Sequence, residues 1–163
     1  MAETAAILSP QKTVLLPDIT AGCPMADMIT VQQLERLKQK HPDALVVCYV
    51  NSPADVKALS DYCCTSSNAV PLVSQLPADR PIIFVPDRHL GQFVSERTGR
   101  AMILWPGYCP THLKISPEDI QAARTQYPGA LVLAHPECGP EIRQTADELL
   151  STGGMIRFAG QSR

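Results

Sequence analysis

HPDALVVCYVNS at residues 41–52 lies over YPGALVLAHPEC at residues 127–138 without a gap, at a shift of 86 residues. Each stretch carries a short apolar run closed by turn-forming residues, the pattern of a strand buried on both faces of a parallel sheet. The same shift superposes Cys23-Pro24 on Cys109-Pro110, Ile29 on Ile115, Thr30 on Ser116, Asp61 on Asp147 and Thr65-Ser66 on Ser151-Thr152. Recurrence of turns, caps and strand together marks an internal structural repeat. The competing explanation is coincidence, two α/β stretches agreeing because both use generic strand and cap chemistry.

Working outward, apolar runs at residues 13–16, 44–49, 62–65, 81–85, 101–104, 130–134 and 147–150 each read as a buried parallel strand. Helix starts lie between them: Thr30 with Gln33, Ser52 before Pro53 and Asp55, and Ser116 before Pro117 and Asp119. Alternation of strand and helix implies an α/β fold of repeated Rossmann-like αβα three-layer units with parallel four-stranded sheets. Residues 23–107 form one complete unit in this reading, residues 1–22 the tail of a truncated first unit, and residues 108–163 the start of a truncated following one. Helical residues 1–8 then correspond to residues 90–98. The expectation is a piece of a longer protein, since a compact single domain of this pattern leaves sheet edges unpaired.

Fourteen basic against sixteen acidic residues among 163 exclude a basic nucleic-acid binder. No apolar run approaches the roughly twenty residues that span a bilayer, and Glu3 stands where a signal peptide carries positive charge. A cytoplasmic protein with no membrane and no nucleic-acid partner is expected. Six cysteines include no CxxC pair, which removes zinc-ribbon and thioredoxin readings. Neither GxGxxG nor GxxxxGK[ST] occurs, which weakens a flavodoxin-like or nucleotide-binding assignment.

In parallel α/β sheets ligands gather beyond the carboxyl ends of the strands. Cys23 and Cys109 occupy equivalent places there, each expected between a strand and a helix. Three such repeats about a pseudo-threefold axis would bring three thiolates to a [4Fe-4S] cluster with one iron open, against a structural role for either cysteine. The shift also pairs Tyr49 with His135, Asn51 with Glu137 and Ser66 with Thr152, so polar side chains recur just past the strands. Plainer roles compete: Tyr49, Asn51 and Ser52 as the turn and cap before Pro53, with Ser52 read as nothing more, Ser66 and Thr152 as N-caps, and His135 with Glu137 in a solvated loop before Gly139-Pro140. His112 lies near the cysteine or on the surface. His41 and His89 are expected on the surface, Cys48, Cys63 and Cys64 in the core, and Cys138 in a turn.

The segments MAETAAILSPQKTVLLPDITAGCPMAD, CYVNSPADVKALSDYCCTSSNAV, WPGYCPTHLKI, HPECGPEI and LLSTGGMIRFA resemble, in order and spacing, the quinolinate synthase family. The resemblance implies three Rossmann-like domains about a pseudo-threefold axis and an oxygen-sensitive [4Fe-4S] cluster held by one cysteine per domain. The implied reaction condenses iminoaspartate with dihydroxyacetone phosphate to quinolinate, phosphate and water in NAD biosynthesis, with a functional link to L-aspartate oxidase or aspartate dehydrogenase. Carried onto this sequence, Cys23 and Cys109 are cluster ligands, with a third cysteine expected beyond the carboxyl terminus. Tyr49, Asn51, His135 and Glu137 contact iminoaspartate, and Ser66 and Thr152 hold carboxylate or phosphate oxygens. By residue type Glu137 suits the general base, Tyr49 a proton relay, and His135 an orienting or carboxylate-binding role. The family's amino-terminal histidine and serine and its third cysteine are missing from this sequence, so the chain alone is expected to be inactive. The alternative is a non-catalytic α/β module that binds a small phosphorylated or dicarboxylic ligand.

Overall fold

The computed structural model describes residues 1–161. In chain order its helices are α1 (Ala2–Leu8), α2 (Val31–Lys40), α3 (Ala54–Ala58), α4 (Ala69–Ser74), α5 (Arg88–Thr98), α6 (Pro110–Leu113), α7 (Pro117–Gln126), α8 (Pro140–Thr145) and α9 (Thr152–Gln161). The strands are β1 (Leu45–Tyr49), β2 (Tyr62–Cys64), β3 (Ile82–Val85), β4 (Met102–Leu104), β5 (Leu133–Ala134) and β6 (Glu148–Leu149). The first four make an all-parallel sheet in the order β2-β1-β3-β4, and β5 pairs with β6, also in parallel. Among the described residues no helix is long and apolar enough to cross a membrane.

Strands β1 and β3 are apolar at every position because both faces are covered. Alternate residues go opposite ways. Leu45, Val47, Ile82 and Phe84 pack on Val73 of α4 and on Leu90 and Val94 of α5. Val46, Cys48, Ile83 and Val85 pack on Leu34 of α2 and Val56 of α3. Three layers, helix on sheet on helix, follow from that alternation. Helix α5 approaches closely at Gly91, where a Cβ would lie 2.7 Å from Leu104 Cδ2 and 2.9 Å from Phe84 Cδ1.

The repeat holds at the level of individual hydrogen bonds. Helices α2 and α7 stand 86 residues apart, and each opens with a reciprocal cap, Thr30 with Gln33 and Ser116 with Asp119. The β1–β2 register Val47↔Tyr62 and Cys48↔Cys63 reappears in β5–β6 as Leu133↔Glu148 and Ala134↔Leu149. Asp61 accepts from the Val46 amide at 2.7 Å, and Asp147 accepts from the Val132 amide at 2.7 Å. Lys38 donates to the Leu59 carbonyl after α3, and Arg124 to the Thr145 carbonyl at the end of α8. Coincidence of generic strand and cap chemistry does not produce this set.

Several sequence expectations are corrected. Residues 13–16 form no strand; between Pro10 and Pro17 the segment has no neighbouring strand to pair with, and Leu15 is 84% exposed. Cys23 therefore follows no strand. Strand β2 is a sheet edge, so Tyr62 and Cys63 are exposed and Cys63 is not core. Strands β5 and β6 are shorter than expected, and β6 is only partly buried. Ser52 does not cap α3: Pro53 holds the N-cap position, and the buried Ser52 hydroxyl turns back to the Tyr49 carbonyl. His89 is buried in the first turn of α5 rather than on the surface, and its carbonyl accepts from the Arg143 side chain of α8. Cys48 and Cys64 are core, and Cys138 sits in a turn but is fully covered.

Candidate functional site

The residues that end β1 and follow β5 meet across the two repeats. Tyr49, the last residue of β1, points to the α4–α5 side and is buried. His135 and Glu137 lie in the turn after β5, closed by the Cys138 amide on the His135 carbonyl, and both are buried. Glu137 takes the Tyr49 hydroxyl on Oε1 at 2.5 Å. Its Oε2 lies 3.1 Å from Nδ1 of His112, at ion-pair distance but off the direction of a hydrogen bond. The His112 and His135 rings stack with centroids 5.0 Å apart.

A tautomer follows from two contacts of His135. Its Nδ1 accepts from the Glu137 amide at 3.3 Å, so the proton sits on Nε2 and is directed at the Ser66 hydroxyl, 3.1 Å away. Burial lowers the His135 pKa, consistent with a neutral ring. For Glu137, burial pushes the carboxyl upward, yet the neighbouring His112 side chain and the Tyr49 hydroxyl outweigh it and hold the pKa below the usual value. The Tyr49 phenol is raised, by burial first and then by the Glu137 charge. A buried carboxylate braced by a phenol and flanked by two imidazoles is equipped to hold and pass a proton.

A second buried acid, Asp87, stands at the start of α5, just past β3. Its Oδ1 accepts from the Leu90 amide at 2.8 Å, whereas Oδ2 has no partner among the described residues. Burial raises its pKa to about 6, with the Glu137 charge adding to the rise. Asp87 is absent from the residues expected at the site, although an acid directly after the PIIFVP run and before a helix is a legible N-cap signal.

Cys109 stands at the N-cap position of α6, and its Sγ, a nitrogen of His112 and an oxygen of Glu137 all lie within 4.8 Å of one another. A thiolate beside these groups suits iron or an iron–sulfur centre. Burial raises the Cys109 thiol, while the His112 and Thr111 amides oppose this. Cys23 is exposed and lines a different cleft with Met1, Glu3, Leu16 and Pro53. It is outside the Cys109 donor group. Thr152 shares a cavity of about 200 Å³ with His112, His135 and Cys138. Asn51 is partly buried in the turn after β1 and makes no side-chain hydrogen bond among the described residues. Of the residues expected at the site, the fold thus brings Tyr49, Ser66, Cys109, His135, Glu137 and Thr152 together with His112 and Asp87, while Asn51 lies in the turn two residues past Tyr49 and Cys23 lines a separate cleft.

The quinolinate synthetase A protein family matches residues 1–163. The chain is 57% identical over 162 residues to a quinolinate synthase of Dehalococcoides mccartyi strain CBDB1, covering 99% of this chain and 53% of the relative. It is 55% identical over 164 residues to the quinolinate synthase of Caldicellulosiruptor bescii, covering 100% and 54%, and 57% identical over 162 residues to quinolinate synthase 2 of Methanosarcina acetivorans, covering 99% and 52%. The chain spans about half the length of the curated relatives it matches. It belongs to the quinolinate synthetase A protein family.

Proposed function

We propose that this chain supplies one wall of a quinolinate synthase active site, for condensation of iminoaspartate with dihydroxyacetone phosphate in NAD biosynthesis. The observation that carries the proposal is the buried Glu137 carboxylate, braced by Tyr49 from one repeat and by His112 from the other, beside the Cys109 thiol. Glu137 accepts and returns a proton. Tyr49 donates the hydrogen bond that keeps Glu137 charged and oriented. Neutral His135 holds the Ser66 hydroxyl in place through Nε2, and Ser66, Asn51 and Thr152 offer hydrogen bonds to substrate carboxylate or phosphate oxygens.

Cys109 and Cys23 are the proposed thiolate ligands of a [4Fe-4S] cluster, with a third cysteine from outside this sequence. Cys109 lies beside His112 and Glu137, and Cys23 stands exposed on a separate loop, open to a cluster. Bound there, the cluster supplies a Lewis-acid iron for a substrate oxygen. The pseudo-threefold arrangement, a cytoplasmic setting, supply of iminoaspartate by L-aspartate oxidase or aspartate dehydrogenase, and inactivity of the chain alone belong to the same proposal.

Anaerobic iron and sulfide analysis tests it, on the reconstituted chain and on the longer polypeptide that includes it. Four irons per longer polypeptide, lost with Cys23→Ala and with Cys109→Ala, are expected, together with quinolinate formation by the longer polypeptide only. Iron-free protein in both cases would leave the cluster-free binding module as the account.

A further inference from the structure

Lys57 in α3 and Arg143 in α8 are equivalent under the 86-residue shift, and both reach back to the loop that carries their own unit's polar residues. The Lys57 ammonium donates to the Ser52 carbonyl at 2.6 Å, and the Arg143 guanidinium to the carbonyl of Cys138, the residue equivalent to Ser52, at 3.4 Å. Each cation also crosses to the helix in front of its unit. Lys57 donates to the Thr4 hydroxyl of α1 at 3.0 Å. Arg143 donates to the His89 carbonyl of α5 at 2.9 Å and to both Glu96 oxygens of α5 at 3.1 and 3.2 Å. Sequence equivalence had already paired α1 with α5, so one device appears twice.

The second copy is the more demanding. The Arg143 side chain is 4% exposed, so its bonds have no water to replace them. It clamps the turn bearing His135 and Glu137 onto α5, at His89 in its first turn and at Glu96 near its carboxyl-terminal end. We propose that Arg143 is a positioning residue, whose bonds to Cys138, His89 and Glu96 set where the Glu137 carboxylate sits relative to Tyr49 and His112. The inference rests on Glu137 being the working carboxylate of the proposed function, but its test reads geometry in the metal-free chain and so stands apart from the iron analysis.

Imidazole ¹⁵N signals of His112 and His135, recorded on the 163-residue chain, report their contacts with Glu137. Arg143→Gln is expected to move both signals in the same direction as Glu137→Gln and by a comparable amount. The Val46 and Ile83 methyl signals of the sheet core should stay in place. Arg143→Lys, which keeps the charge but not the fork that holds His89, Cys138 and Glu96 at once, is expected to recover the imidazole signals in part at most. Wild-type imidazole signals in Arg143→Gln overturn the proposal. Should Arg143→Gln shift the core methyls as well, Glu96→Gln decides: Glu96 is 52% exposed and anchors one arm of the guanidinium. A smaller imidazole shift in the same direction supports the clamp, and none overturns it.

Discussion

The Tyr49 hydroxyl and the Glu137 carboxylate, 88 residues apart, form a 2.5 Å hydrogen bond that joins the first repeat to the second inside the protein. Removing the donor leaves a buried carboxylate oxygen with poorer solvation. By the usual cost of an unsatisfied buried partner, Tyr49→Phe is expected to destabilise the chain by about 1–3 kcal/mol. Thermal melting of Tyr49→Phe, Glu137→Gln and the double variant checks it. The two single losses should sum to more than the loss of the double variant, because Tyr49→Phe removes the bond and Glu137→Gln, which keeps an amide oxygen as acceptor, removes the charge that strengthens it. Additive losses would mean that the contact contributes nothing of its own.

Asp87 gives a pH dependence of defined sign. Its folded-state pKa of about 6 lies above the ordinary 3.8, with burial as the main cause. Between those values the unfolded chain releases the proton while the folded chain retains it. Stability therefore falls as pH rises through that window, by roughly 3 kcal/mol in all. Asp87→Asn keeps an oxygen for the Leu90 amide and has no charge to bury. Denaturant unfolding from pH 3.5 to 7.5 should show the variant flatter over the window and more stable than wild type above pH 7.

The doubled carboxylate at strand starts predicts parallel behaviour in the two repeats. Asp61→Ala strips the acceptor from the Val46 amide, and Asp147→Ala strips it from the Val132 amide and from Arg124. Both variants should lower the melting temperature. In hydrogen exchange, Asp147→Ala should speed exchange at Val132 without touching Val46, and Asp61→Ala the reverse. Faster exchange at both amides in either variant would show that the repeats open as one unit.

The repeat, the caps at Thr30 and Ser116 and the four-stranded parallel sheet were legible because each rests on local chemistry with a fixed spacing. The same holds for Tyr49, His135 and Glu137, since the shift that pairs Tyr49 with His135 and Asn51 with Glu137 marks polar side chains at the carboxyl ends of equivalent strands. Failures came where tertiary context decides. Residues 13–16 have the composition of a strand, but a ladder needs a neighbour that composition does not supply. His89 is buried where α5 meets distant chain, as its carbonyl's contact with Arg143, 54 residues later, records, and no local signal carries that. Cys63 was assigned to the core from its strand, whereas its exposure follows from β2 lying at the sheet edge. Equivalence of Cys23 and Cys109 in sequence did not give them equivalent surroundings, since α6 folds Cys109 toward His112 while the Cys23 loop lies open.

That difference between cysteines is open to direct chemical measurement. Cys23 and Cys63 are exposed, Cys109 is partly covered, and Cys48, Cys64 and Cys138 are buried. Burial also raises the thiol pKa of Cys48, Cys64, Cys109 and Cys138, which lowers their thiolate fraction at a given pH. Titration of the native chain with an aromatic disulfide at pH 8 should therefore give two fast thiols, one slow thiol, and three that react only on unfolding. Cys109→Ala should delete the slow phase alone, and Cys23→Ala one equivalent of the fast phase. Adding ferrous iron under anaerobic conditions should protect Cys109 before Cys23, because Cys109 already has His112 and Glu137 within a ligand sphere of 4.8 Å. Equal protection of Cys23 and Cys109 would show instead that iron draws the two loops together in this chain.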